Sequence, residues 1–82
     1  MRIVFTRSGW DDYVSWADDK TLKRINRLIA ECSRDPAVGI GKPEPLTQQL
    51  ADYWSRRVTS EHRLVYRVRG EDLIIIQVRY HY

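Results

Sequence analysis

Three strand-like runs crowded into the last thirty residues set the terms on which this chain can fold. Tyr53–Val58, His62–Val68 and Leu73–Tyr80 are rich in aliphatic, β-branched and aromatic residues, and short turns separate them. Connections this short favour an antiparallel meander. In the middle run Leu64, Tyr66 and Val68 alternate with Arg63, Val65 and Arg67, so the strand presents two different faces. Leu73-Ile74-Ile75-Ile76 is unbroken and apolar, the pattern of a central strand covered on both sides. With Thr59-Ser60-Glu61 as the first turn, Val58 meets His62 and Arg57 meets Arg63. A three-residue turn around Gly70 then sets Ile74, Ile76 and Val78 on the face of Leu64, Tyr66 and Val68. Arg57, Arg63, Arg67, Arg79 and His81 gather on the other face, with Val65 and Ile75. A slip of one residue in the second hairpin would undo that division.

The preceding half of the chain supplies a lid for one face. Ile3-Val4-Phe5 reads as a short strand. Ser8 is placed to cap a first helix, with Asp11 as its capping-box partner and Asp11 and Asp12 in the first turn. Trp10, Tyr13, Val14 and Ala17 have the spacing of one buried stripe, and Trp16 falls at its border. Asp18-Asp19 opens a second helix whose apolar stripe is Leu22, Ile25, Leu28, Ile29 and Cys32, ending at Asp35-Pro36. Lys23, Arg24, Arg27 and Arg34 lie mostly off that stripe and read as a solvated face. The expectation is an α+β fold of order β-α-α-β-β-β, a helical hairpin on one face of an antiparallel sheet.

Eighty-two residues read as one small domain, 1–82, with a modest core. Cys32 is the single cysteine, so neither an internal disulfide nor a cysteine-based zinc cluster is available. It reads as a buried small apolar residue. No run approaches the ~18–20 apolar residues of a membrane span, and Met1–Phe5 does not resemble a secretion signal. The chain is expected in the cytoplasm. A net charge of +3, carried largely by arginine, mildly favours a polyanionic partner.

Pro36 to Ala51 has no periodicity. Within it, Lys42-Pro43-Glu44-Pro45-Leu46 is stiffened by its prolines, which hold Glu44 on constrained backbone. Leu46 and Leu50 are expected to pin this stretch to the core. A carboxylate overlooking a face of arginines, with a histidine at its rim, suits RNA cleavage by the 2′-hydroxyl. One group takes the 2′-OH proton, arginine neutralises the phosphorane-like transition state, and another group protonates the departing 5′-oxygen. His81 projects from the end of a strand and suits the acid, although a terminal histidine can equally lie in an unemployed tail. His62, at a strand start beside a turn, reads as structural, and Trp54 as core. Tyr82 can stack on a base or pack back onto the domain. No cluster of metal-ligand spacing is present, and no cofactor is expected.

The chain resembles the YoeB/Txe family of toxins, within the RelE-like superfamily of bacterial toxin–antitoxin systems. The resemblance is carried by Ser-Gly-Trp-Asp-Asp-Tyr at 8–13, Gly-Lys-Pro-Glu-Pro-Leu at 41–46, Trp-Ser-Arg-Arg-Val at 54–58, Glu-His-Arg-Leu-Val-Tyr at 61–66 and Arg-Tyr-His-Tyr at 79–82. It implies a ribosome-dependent mRNA endonuclease acting in the A site, with Glu44 as general base, Arg63 at the transition state and His81 as general acid. Tyr82 would help to position substrate, and Arg57, Arg79 and Lys42 would lie close by as cations. It also implies a YefM-like antitoxin partner, a homodimer, and contact with DNA only through that antitoxin. Where the family pattern carries a lysine shortly after Pro-Leu, this chain has Thr47. Two alternatives stay open: a non-catalytic ParE-like toxin that binds a protein target, and an inert RNA-binding or partner-binding domain.

Overall fold

The computed structural model describes residues 1–46 and 52–80. In chain order the elements are β1 (Arg2–Phe5), α1 (Arg7–Val14), α2 (Asp19–Arg34), β2 (Glu44–Pro45), β3 (Tyr53–Arg57), β4 (Arg63–Arg69) and β5 (Asp72–Gln77). The strands form one sheet in the order β1-β5-β4-β3-β2. The expected α+β class and order hold, with two differences in the sheet. β1 joins β5 in parallel, so the sheet is mixed. The stretch expected as loop contributes β2, antiparallel to β3. The extended geometry that proline imposes is compatible with an edge strand, where a missing N–H is tolerated.

The first hairpin has the expected register, Arg57 opposite Arg63. The second does not. Gly70-Glu71 forms a two-residue turn, and Val68 pairs with Leu73 and Tyr66 with Ile75. Gly70, at φ +56°, accepts the left-handed backbone such a turn needs. Leu73 and Ile75 therefore face the core, while Ile74 and Ile76 are half-buried on the arginine side. An irregularity between Val65 and Tyr66 then sets Val65 against Gln77. Beyond it Val78 is fully buried, as expected.

Helix α2 behaves as its periodicity demands. Asp18 caps it by accepting from the Thr21 N–H at 2.9 Å. Ile25, Leu28, Ile29 and Cys32 are buried in one cluster with Val58, Leu64, Tyr66, Leu73, Ile75 and Val78. Fully burying a large aliphatic side chain contributes roughly 1.5–3 kcal/mol. That far exceeds the few tenths expected of an exposed pair such as Arg7–Asp11 on α1. Arg24 is not simply solvated: it donates to the carbonyls of Val58 at 2.7 Å and Arg57 at 2.9 Å, fastening α2 to the end of β3.

Helix α1 departs further from expectation. Its N-cap is Thr6, which accepts from the Gly9 N–H, so Asp11 and Asp12 lie beyond the first turn. Trp10, Val14 and Ala17 are exposed. Of the expected stripe Tyr13 packs on the core, Gly9 and Asp12 turn inward beside it, and Trp16, just past the helix, packs against the core as well. β1 pairs with β5 no further than Ile75, and α1 satisfies the strand edge beyond it. Ser8 donates to the Ile76 carbonyl at 3.3 Å, Asp12 accepts from the Val78 N–H at 3.1 Å, and Trp16 donates to the Val78 carbonyl at 3.1 Å. The edge groups are polar, so the helix face that meets them is partly polar. Gly9 is required by this approach: a Cβ there would lie 2.2 Å from the Ile75 carbonyl oxygen. Among the described residues no helix is long and apolar enough to cross a membrane.

Candidate active site

Both helices cover one face of the sheet, which leaves the other for chemistry. Alternation along β3 sends Trp54 and Arg56 inward and Tyr53, Ser55 and Arg57 outward. Their partners on β4 follow: Arg63, Val65 and Arg67 share the outward face. Glu44 is registered against Ser55 and so joins them. The Glu44 carboxylate accepts from Arg63 Nη1 at 3.1 Å. The Arg63 side chain is 13% exposed and that of Glu44 55% exposed. The arginine is thus packed in place beneath a carboxylate that solvent and ligands can reach. Next along β4, Arg67 lies over the Tyr53 ring and 3.9 Å from Asp52.

Arg63 Nε, Arg67 Nε and the Ser55 hydroxyl are buried without a hydrogen-bond partner among the described residues. Unpartnered polar groups are uncommon in a folded interior, and water or a ligand can supply the missing partner. Clustered on one face, they give it a positive bias that favours phosphate.

The backbone that carries Glu44 is organised by a residue the sequence reading passed over. Arg56 is 0% exposed. Its Nε donates to the Tyr66 hydroxyl at 3.1 Å, Nη1 to the Ile40 carbonyl at 3.0 Å, and Nη2 to the carbonyls of Asp35 at 2.7 Å and Val38 at 3.0 Å. The Tyr66 hydroxyl in turn donates to the Pro36 carbonyl, and burial pushes its pKa well above the usual phenol value. One planar guanidinium thereby gathers the whole turn after α2. Just beyond, the Gly41 carbonyl accepts from the Arg57 N–H at 2.7 Å. Gly41, at φ +84°, adopts backbone that residues with a side chain rarely take, and a Cβ there would crowd Arg56 Cβ at 3.1 Å and the Arg57 carbonyl oxygen at 3.3 Å.

Lys42 follows at φ +52°, and Tyr80 has φ +57°; among the described residues these are the non-glycine positions with positive φ. Each costs roughly 1–2 kcal/mol relative to ordinary backbone, which the surrounding bonds must offset. Lys42 lies two residues before Glu44, and Tyr80 one residue before His81.

The sequence-predicted residues therefore divide. Glu44, Arg63 and Arg57 share one face, and Lys42 is exposed at its edge. Arg79 does not join them. Its guanidinium donates to the Ser15 hydroxyl at 2.6 Å and the Ser15 carbonyl at 3.1 Å, and stacks over Trp16 at 3.9 Å. β5 ends at Gln77 and the chain bends, so strand alternation no longer governs where Arg79 points. Ile75, also expected on the arginine face, belongs to the core. His81 and Tyr82, together with Thr47 and Leu50, lie outside the described residues; Leu46 is buried as expected. The residue before His81 is bound to the site, because the Tyr80 carbonyl accepts from the Arg63 N–H at 3.2 Å.

A family model described as the YoeB-like toxin of bacterial type II toxin–antitoxin systems matches residues 5–82. The toxin YoeB of Streptomyces coelicolor is 60% identical over 84 aligned positions that cover 100% of both chains. Among solved structures, a YoeB/ParE toxin from Agrobacterium tumefaciens superposes with a TM-score of 0.95 at 51% identity, covering 100% of both chains. A YoeB–YefM complex and a YoeB dimer from Staphylococcus aureus give TM-scores of 0.89 and 0.91 at 39% and 41% identity, covering 100% of this chain and 98% of theirs.

Proposed function

Because this chain belongs to the YoeB-like toxins of bacterial type II toxin–antitoxin systems, we propose that it is an mRNA endonuclease that cuts on the ribosome, in the A site. The observation that carries the reading is the Glu44–Arg63 pair: a reachable carboxylate held 3.1 Å from a packed arginine. Glu44 takes the 2′-OH proton as the 2′-oxygen attacks phosphorus. Arg63 donates to the non-bridging oxygens as negative charge builds on them. The bond from phosphorus to the 5′-oxygen breaks, His81 protonates that oxygen, and a 2′,3′-cyclic phosphate and a 5′-hydroxyl result. General acid and base contribute roughly 10²–10⁴-fold each when well placed. The scheme calls on no metal or cofactor.

Arg57 and Lys42 contribute positive charge at the edge of the same face, and Tyr82 positions substrate. Arg79 serves instead by holding the C-terminal segment against α1. Residues 1–82 act as one toxin domain, working in the cytoplasm on translating ribosomes. The relatives solved with YefM and as a dimer support a YefM-like antitoxin and a homodimer for this chain. An acidic segment that folds on binding suits the arginine face, and DNA is met only through the antitoxin.

Mapping of mRNA 5′-ends in a translation mixture tests this, with a ribosome-free control. Cuts confined to A-site codons are expected, with Glu44→Ala and His81→Gln reducing cleavage at least ~10²-fold while folding is kept. Wild-type rates in both variants refute the site. Toxicity that persists in a cleavage-dead variant points instead to a ParE-like binder.

A further inference from the structure

The bonds around Tyr80 exceed what an exposed residue requires. Its side chain is largely in solvent, yet its backbone is held on both sides. The Tyr80 N–H donates to His62 Nδ1 at 2.8 Å. The Tyr80 carbonyl accepts from the Arg63 N–H at 3.2 Å and from Gln77 Nε2 at 2.9 Å. Gln77 Nε2 also donates to the Arg79 carbonyl at 2.6 Å. His62 is itself fixed, its ring edge-on to Trp16 at 4.9 Å and tilted against Tyr80 at 4.8 Å. Its backbone N–H donates to the Thr59 hydroxyl at 3.2 Å. All this maintains a positive φ at a tyrosine, a conformation that unrestrained backbone would relax.

We propose that His62 and Gln77 form a latch that holds Tyr80 in its left-handed conformation beside Arg63, and that cleavage depends on this hold. Both are positioning residues: neither need touch RNA. Nδ1 of His62 must be the unprotonated, accepting nitrogen, which assigns the ring proton of the neutral imidazole to Nε2. The latch rests on the reading of His81 as general acid, because the acid is the group that gains from a fixed direction. A displacement of about 1 Å in a reacting group can cost on the order of 10²-fold in rate.

The test uses the full chain. His62→Phe keeps an aromatic ring beside Trp16 but removes the acceptor. His62→Asn keeps an acceptor near the Nδ1 position. For His62→Phe, kcat on programmed ribosomes is expected to fall ~10- to 100-fold, with KM within about twofold of wild type. His62→Asn is expected to recover most of that loss. Hydrogen exchange at the Tyr80 amide should quicken in His62→Phe and stay slow in His62→Asn. Gln77→Leu gives a second route should His62→Phe fail to fold, with the same selective loss of kcat. An undiminished kcat in His62→Phe and Gln77→Leu overturns the proposal, as does equal loss in His62→Phe and His62→Asn with Tyr80 exchange unchanged. Acceptor-dependent Tyr80 exchange in a chain that cuts no RNA would leave the latch standing and remove the acid reading instead.

Discussion

Replacing Arg56 with methionine should unfold the turn after α2 before anything else gives way. The guanidinium makes four hydrogen bonds, to the Tyr66 hydroxyl and to the carbonyls of Asp35, Val38 and Ile40. Methionine fills comparable space but donates to none of them. A hydrogen bond from a charged group contributes roughly 1.5–3 kcal/mol, and such terms do not simply add. Asp35 and Val38 are surface residues whose carbonyls can find water, whereas the Tyr66 hydroxyl cannot do so without moving the core. Leaving the Tyr66 hydroxyl and the Ile40 carbonyl short of their donor costs roughly 1–3 kcal/mol each, so the net loss is set at about 3 kcal/mol. About 3 kcal/mol corresponds to a fall in Tm of ~12–24 °C for a domain of this size. Urea unfolding followed by the fluorescence of the three tryptophans measures it directly. Arg56→Lys should recover little, because a single ammonium cannot reach partners spread around a planar fork. A loss below ~1 kcal/mol for Arg56→Met would refute the reasoning, since it would mean that water serves those carbonyls as well as the guanidinium does.

Three further outcomes follow from the packing. Gly9→Ala forces a Cβ to within 2.2 Å of the Ile75 carbonyl, so α1 must move off β5; a loss of roughly 1–3 kcal/mol in urea unfolding is expected. Burial pushes the Cys32 thiol up to about 11; alkylation by iodoacetamide at pH 8 should be slow in the folded chain and become fast only on unfolding. Arg2 donates to Asp72 at 2.7 Å and holds its carboxyl below the usual carboxylate range. A pKa lowered by folding stabilises at neutral pH, and that contribution disappears as pH falls through the folded value. In Asp72→Asn the acid-side decline in Tm should accordingly be shallower, and a profile identical to wild type would show the pair to be inert.

Which residues share the face of the candidate site could be read in part from residue order, because that placement is local. The prolines around Glu44 constrain the backbone wherever that segment lies. Alternation puts Arg63 and Arg67 on one face of any strand they share. Two of the arginines that proved structural were harder to read. Nothing in Trp-Ser-Arg-Arg-Val distinguishes the buried Arg56 from the exposed Arg57 until the sheet has an inside. Arg79 likewise reads as a strand arginine until the chain bends and Trp16 lies beneath it. His62 looked structural, and its contacts agree; what it holds became visible only with Tyr80 in place.

By itself, the order of residues determined the meander, the stripe on α2, the single buried cysteine and the pairing of Arg57 with Arg63. Each follows from periodicity or a short turn, interactions within a few residues or between adjacent strands. Tertiary structure decided the rest. The second hairpin is registered by whether Leu73 and Ile75 or Ile74 and Ile76 meet the core, a choice that depends on Tyr66 across the sheet. The inward face of α1 is set by the unpaired edge of β5, some sixty residues away, which needs hydrogen-bond partners as well as apolar cover. A hydrophobic pattern records what water should not touch; it carries no record of which distant carbonyl a side chain must satisfy.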